Sequence, residues 1–282
     1  MPRFTTADGC NLEYRLRGEG PLIALTPGGR EAGEKVAELA DVLASRACVL
    51  TWDRRNAGAS DLYFGGDLAE AVIWAEDLAD LIQHLGRGPA WIAGGSGGCR
   101  VSVITAIRRP EVCRGLLLWS ASGGPYGCQY LGYIYHVPFI MAAQQGGMEA
   151  VAETPFFAAR IAANPANRER LLALDPEAFI DVLKRWNQAF YYRADAALAG
   201  IPNAALRRLR TPTLLFEGND DVHTPEVSTA MAELIPDSVL LPSPWSTEQW
   251  LDKLTGRTGV VFDLYPLLAP AIFDFIEQRS TS

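Results

Sequence analysis

The residues Gly94-Gly95-Ser96-Gly97-Gly98 constrain this chain more than any other stretch. An apolar run, Pro89–Ala93, leads into them, and Val101–Arg108, with helical spacing and a stop at Pro110, follows them. The pattern G-x-S-x-G is common by chance, but a strand running in and a helix running out make it specific. A strand-to-helix turn this sharp has no room for side chains beside the serine. It lifts the serine oxygen above the sheet at a helix N-terminus, where amides and the helix dipole favour negative charge. The competing readings are a structural glycine turn and a phosphate loop. G-x-G-x-x-G does not fit, and no Walker lysine follows.

Around this elbow strands and helices alternate. Cys10–Leu16, Leu22–Thr26, Cys48–Trp52 and Gly115–Trp119 read as strands, and Glu31–Ser45 and Leu68–Leu85 as helices. Short buried strands in a βαβ order predict an α/β fold with a mostly parallel, doubly wound sheet. The alternation stops near residue 122. Tyr130–Gly146, Met148–Ala163, Asn167–Ala173 and Pro176–Ala189 have helical spacing instead. Strand signals resume at Thr213–Phe216 and Ser238–Leu241, with helices at Pro225–Leu234 and Leu264–Glu277. The expected division is a core of 1–124 and 207–282, with 125–206 an inserted helical cap over the active face.

The 282 residues suit one large domain or two small ones. Hydrophobic residues are 49% and charged residues 21%, an ordinary globular balance. A formal charge of −8 argues against a nucleic-acid backbone as partner. No apolar run approaches the roughly 18 residues of a membrane span. Neither a signal peptide nor a membrane contact is expected. The cysteines Cys10, Cys48, Cys99, Cys113 and Cys128 show no metal spacing, so a reduced, cytoplasmic protein with no metal and no organic cofactor is the expectation. A homodimer is compatible with the chain, though no interface is legible.

At this point the chain resembles the α/β-hydrolase family over nearly its whole length. Thr26-Pro27-Gly28-Gly29-Arg30 lies where that family has its oxyanion loop. Asp53-Arg54-Arg55-Asn56-Ala57-Gly58-Ala59-Ser60 is similar to its D-x-R-G-x-G-x-S segment, with Asn56 in place of a glycine. Gly218-Asn219-Asp220-Asp221-Val222-His223-Thr224-Pro225 resembles its acid loop. The resemblance implies Ser96 as nucleophile, Asp221 as triad acid, and an oxyanion hole from the amides of Gly97 and of Gly28 or Gly29. Between Asp220 and Asp221 only spacing favours the second.

The family's histidine follows the last strand, and here no histidine lies beyond His223. His84 reads as a surface residue and His136 as packing in the cap. His223 is the best substitute, but Asp221, two residues away, is badly placed to orient it. The sequence therefore predicts that the usual Ser–His–Asp relay is not intact. The leading expectation is an enzyme acting on an ester, lactone or related carbonyl of a bulky hydrophobic small molecule. A lyase, isomerase or cyclase on the same scaffold, or a ligand-binding pseudoenzyme, is the alternative. Aromatic density in the cap suggests an apolar pocket, with Trp119, Tyr126, Tyr130, His136 and Trp186 as candidate substrate contacts.

Overall fold

The short apolar runs become strands buried on both faces. A computed structural model describes residues 2–280. Its strands are β1 (Arg3–Thr5), β2 (Asn11–Arg17), β3 (Leu22–Thr26), β4 (Cys48–Trp52), β5 (Ala90–Gly95), β6 (Cys113–Trp119), β7 (Thr213–Phe216) and β8 (Ser238–Leu241). They form one sheet in the order β1-β2-β4-β3-β5-β6-β7-β8. The β1–β2 and β2–β4 pairs are antiparallel, and every later pair is parallel.

The helices are α1 (Ala37–Leu43), α2 (Glu70–Leu85), α3 (Gly97–Arg108), α4 (Gly124–Glu153), α5 (Pro155–Ala163), α6 (Ala166–Leu172), α7 (Pro176–Asn187), α8 (Asn203–Leu206), α9 (Pro225–Leu234), α10 (Thr247–Leu254) and α11 (Ala269–Ser280). Successive residues of a strand face opposite sides, and both sides are covered. Leu22, Ala24, Ile92 and Leu116 pack with Leu78, Ile82, Val101 and Met231 of α2, α3 and α9. Ile23, Leu25, Trp91 and Leu117 pack with Leu39, Leu43, Ile272 and Phe275 of α1 and α11. Two covered faces are the reason these strands read as unbroken apolar runs.

Between β6 and β7 the chain forms helices only, α4 to α8. This insertion has its own apolar centre, in which Phe139, Phe157, Phe179, Leu183 and Trp186 meet Leu62 and Phe64 of the core. Hydrogen bonds also fix it to the core. Arg160 donates to the carbonyls of Asn56 and Arg30, and Arg30 donates to the Tyr135 carbonyl. Asn167 donates to the Ser60 carbonyl and Trp186 to that of Leu68.

The register aligns the strand ends: Thr26 with Gly94, Gly95 with Trp119, and Trp119 with Phe216. The segments that leave β3, β5, β6 and β7 therefore gather along one edge. In open α/β sheets this carboxyl edge is where ligands bind. Among the described residues no helix is long and apolar enough to cross a membrane.

Candidate active site

Ser96 lies between β5 and α3 with φ 50° and ψ −114°. A non-glycine residue held there costs about 1–3 kcal/mol and persists only where its surroundings enforce it. They do so here. A side chain on Gly98 would collide with the Thr26 carbonyl, so α3 approaches β3 as only glycine permits. The Ser96 amide is fixed by the Trp119 carbonyl at 3.1 Å.

The loop after β3 rests against this turn. A Cβ on Gly28 would stand 3.1 Å from Ser96 Cβ, and one on Gly97 would stand 3.3 Å from the Gly29 nitrogen. Among the described residues neither the Gly29 nor the Gly97 amide has a protein acceptor. Two uncommitted N–H groups thus flank the serine, as stabilisation of an oxyanion requires.

The loop after β7 supplies both an imidazole and a carboxylate. His223 Nε2 lies 2.8 Å from Ser96 Oγ, and His223 Nδ1 lies 2.8 Å from Asp220 Oδ2. The sequence-based expectation of a broken relay is therefore corrected: the three groups stand in one hydrogen-bonded line. The acid is corrected as well. Asp221 is exposed, and Asp220 faces the imidazole with a side chain only 7% exposed.

A three-residue turn explains the choice. Asp220 Oδ1 accepts from the backbone N–H groups of Val222 and His223, each at 2.7 Å, which folds the chain back on the carboxylate. Gly218 makes the fold possible, since any side chain there would strike the His223 carbonyl. Burial alone would push the Asp220 carboxyl up. The His223 hydrogen bond and charge, with the His223 and Val222 amides, outweigh it and hold the group below the usual carboxylate range.

The segment after β8, where the family resemblance would put a histidine in the chain, carries indoles instead. After β8, Trp245 stacks on Trp250 at 5.6 Å, and Trp250 meets the His223 ring edge-on at 6.0 Å. The Trp245 carbonyl accepts from Asn219, tying this segment to the loop that carries Asp220 and His223.

Of the expected substrate contacts, His136 and Trp186 line a cleft beside Ser96, together with Gly29, Gly97, Arg30, Arg100, Tyr135 and Phe190. The other three do not. Trp119 is fully buried at the end of β6 against Tyr265. Tyr126 and Tyr130 are exposed and stack on one another along α4. Most aromatics of the insertion pack among themselves, so their density reports a helical core more than a pocket. The side chains of Arg30, Glu70, Arg100, Tyr135 and His136 supply polar groups to the cleft, and of these only His136 was expected as a substrate contact.

His136 is fully buried, and its Nδ1–H donates to the Gly132 carbonyl at 3.0 Å. Its Nε2 then faces Arg30 Nη2 at 3.5 Å as an acceptor. Burial, with the nearby Arg30 charge, pushes its pKa down to about 3, so it stays neutral. Cys99, next to the elbow, donates weakly to the Gly94 and Trp119 carbonyls, and burial pushes its thiol up to about 12. It packs and does not react. Among the described residues no cluster of His, Cys, Asp and Glu could hold a metal ion.

Residues 25–262 match the profile of the Alpha/beta hydrolase family. A pimeloyl-[acyl-carrier protein] methyl ester esterase of Chromobacterium violaceum is 28% identical over 249 residues, 83% of this chain and 89% of the esterase. Shorter matches are an uncharacterised hydrolase of Bacillus subtilis (32% identity) and a 2-(acetamidomethylene)succinate hydrolase of Mesorhizobium japonicum (34%). These two cover 36% and 38% of this chain, and the chain spans only 38% and 37% of their lengths. Among solved structures, the enol-lactonase of Burkholderia xenovorans superposes with a TM-score of 0.63 at 19% identity, over 98% of this chain and 100% of that one. A thermophilic esterase of Thermogutta terrifontis gives 0.63 at 20% identity, over 99% of each chain. At such identities the structures speak to the fold alone.

Proposed function

The chain belongs to the alpha/beta hydrolase family, and on that premise we propose that it is a serine hydrolase cleaving an ester or lactone. The observation that carries this is the line Asp220–His223–Ser96, with 2.8 Å at each contact. Relatives named esterase and hydrolase support the reaction class.

The steps follow from the geometry. Ser96 Oγ attacks the substrate carbonyl while His223 Nε2 takes its proton. Asp220 keeps the neutral ring protonated on Nδ1 and steadies the imidazolium that forms. The carbonyl oxygen, now negative, accepts from the Gly29 and Gly97 amides, each worth about 3 kcal/mol at such a site. His223 returns its proton to the departing alkoxide, leaving an acyl-serine. Water, deprotonated by the same imidazole, then releases the acid and restores Ser96. The case for a lyase, an isomerase or a binding protein rested on a serine without a base, and His223 within hydrogen-bond reach of Ser96 supports hydrolysis over those readings.

Labelling with a fluorophosphonate tests the reading. The expected result is one adduct, on Ser96, with turnover of a 4-nitrophenyl ester falling by similar, non-additive factors in Ser96→Ala, His223→Ala and the double variant. No labelling at neutral pH, or turnover that survives Ser96→Ala, would overturn it.

A further inference from the structure

The cleft beside Ser96, lined by Arg30, Arg100 and one carboxylate, Glu70, carries more positive charge than that carboxylate balances. Arg30, Arg54 and Arg100 are buried, and Arg160 is partly buried close by. Of these four, only Arg30 has a carboxylate among the described residues within 4.0 Å: Glu70, at 2.7 Å. Arg160 donates to backbone carbonyls. Arg54 lies over the Trp74 ring with Nε and Nη1 unpartnered. Arg100 is 6% exposed, its guanidinium sits 4.3 Å from the centre of the Phe190 ring, and its Nε has no partner.

An unpaired buried cation is costly, and a protein gains no stability by keeping one. Burial lowers the pKa of Arg100 to about 10, which still leaves it charged at neutral pH. Its location gives the charge a use. Arg100 is one turn along α3 from Ser96, a rise of about 6 Å. It lines the same cleft as Gly29 and Gly97, the glycines whose amides flank the serine.

We propose that the substrate carries a carboxylate a few carbons from its scissile carbonyl, and that Arg100 binds it. This rests on the serine-hydrolase reading and adds the substrate class. A guanidinium matches a carboxylate through two parallel N–H bonds, and the unpartnered Nε is one of the donors available for that fork. Tyr135 stands beside it, with its hydroxyl 3.6 Å from where a Cβ on Gly29 would be. The cleft is narrow: about 20 Å³ is free for the centre of a water-sized sphere, roughly one water. A cleft this tight favours a flat anion over a tetrahedral one.

Calorimetric titration with glutarate, glutaramide and inorganic phosphate tests this without needing Ser96 chemistry. Glutarate is expected to bind, the other two to bind at least tenfold more weakly, and Arg100→Met to weaken glutarate at least tenfold. Arg100→Gln should do the same. In turnover, the 4-nitrophenyl monoester of glutarate should exceed 4-nitrophenyl hexanoate at least tenfold in kcat/KM, a ratio that collapses in Arg100→Met. Removing an unpaired cation should also raise Tm, which separates lost binding from lost folding. The proposal fails if glutarate does not bind, if phosphate binds better, or if Arg100→Met lowers both esters equally. Failure of the hydrolase reading shows separately, as an unlabelled Ser96.

Discussion

Replacing Asp220 by asparagine should leave the shape of the site intact and remove its base. Asp220 Oδ1 holds two backbone N–H groups at 2.7 Å, so the asparagine oxygen stays there and its NH₂ takes the place of Oδ2. Flipping the amide would forfeit both bonds, each worth about 1.5–3 kcal/mol to a charged acceptor and about 1 kcal/mol to a neutral one. The NH₂ then points at His223 Nδ1 from about 2.8 Å, as Oδ2 does now. Two donors cannot share that contact, so Nδ1 becomes the acceptor and the ring proton moves to Nε2. Nε2–H now faces Ser96 Oγ and cannot take its proton. A wrong tautomer of this kind costs about 10⁴ in kcat, or about 5.5 kcal/mol. Stability should fall by only about 1.5–3 kcal/mol, the worth of one charge-assisted hydrogen bond. Asp221→Asn, on an exposed neighbour, should stay within about threefold of the parent in kcat, since surface changes of this kind rarely exceed ±0.5 kcal/mol. The assay is turnover of a 4-nitrophenyl ester and the rate of fluorophosphonate labelling, with urea unfolding in parallel. Asp220→Asn within tenfold of the parent, or a hundredfold loss in Asp221→Asn, would refute the tautomer argument.

Three further outcomes follow from the packing. His136, neutral when buried with a pKa near 3 and ordinary at 6.5 when unfolded, favours folding fully above pH 6.5 and loses that contribution as pH falls toward 3. At pH 5 the loss is about 2 kcal/mol, and urea unfolding should show a shallower pH dependence in His136→Gln. Gly98→Ala should cost about 3 kcal/mol and most of the activity, because its methyl meets the Thr26 carbonyl; an unchanged Tm would contradict this. Asn56, at φ 68°, donates to the Tyr63 carbonyl and accepts from the Tyr63 amide. Asn56→Ala should therefore lose about 2 kcal/mol or more in chemical denaturation, and Asn56→Gly less, since glycine removes the backbone strain but not the lost bonds.

The elbow was legible because sterics dictate it: glycines must flank the serine, and apolar residues must enter and leave. The parallel core was legible for the same reason, since β3 to β7 carry runs that burial on both faces requires. β1 was not, because three residues of mixed exposure carry no periodicity. α10 was not read from the sequence either, although Ser246 and Gln249 form a capping box at its start. Its one buried residue, Trp250, is too little for an apolar stripe. Choosing between Asp220 and Asp221 needed three dimensions. Both fit the spacing, and the decision lies in which carboxylate folds back onto the Val222 and His223 amides. The doubt about His223 came from measuring to Asp221: from Asp220 the extra residue closes the turn. Trp119 looked like a pocket residue because it ends a strand at the active edge, but its indole points beneath the sheet. Arg100 gave no signal, since one arginine at helical spacing reads as surface.

Acid and base here share one short loop, where two separate loops at the ends of adjacent strands would ordinarily be needed. Their alignment is inherited from local chain geometry, so a shift of β8 or of the segment behind it does not part them. Only one joint, between His223 and Ser96, depends on how the two halves of the core dock. The chain after β8 is thereby released from chemistry and held to volume, apolar contact and the hydrogen bond from Asn219 to the Trp245 carbonyl. It can drift in sequence, lengthen or shorten with little consequence for proton transfer, so long as something flat and greasy continues to back the imidazole.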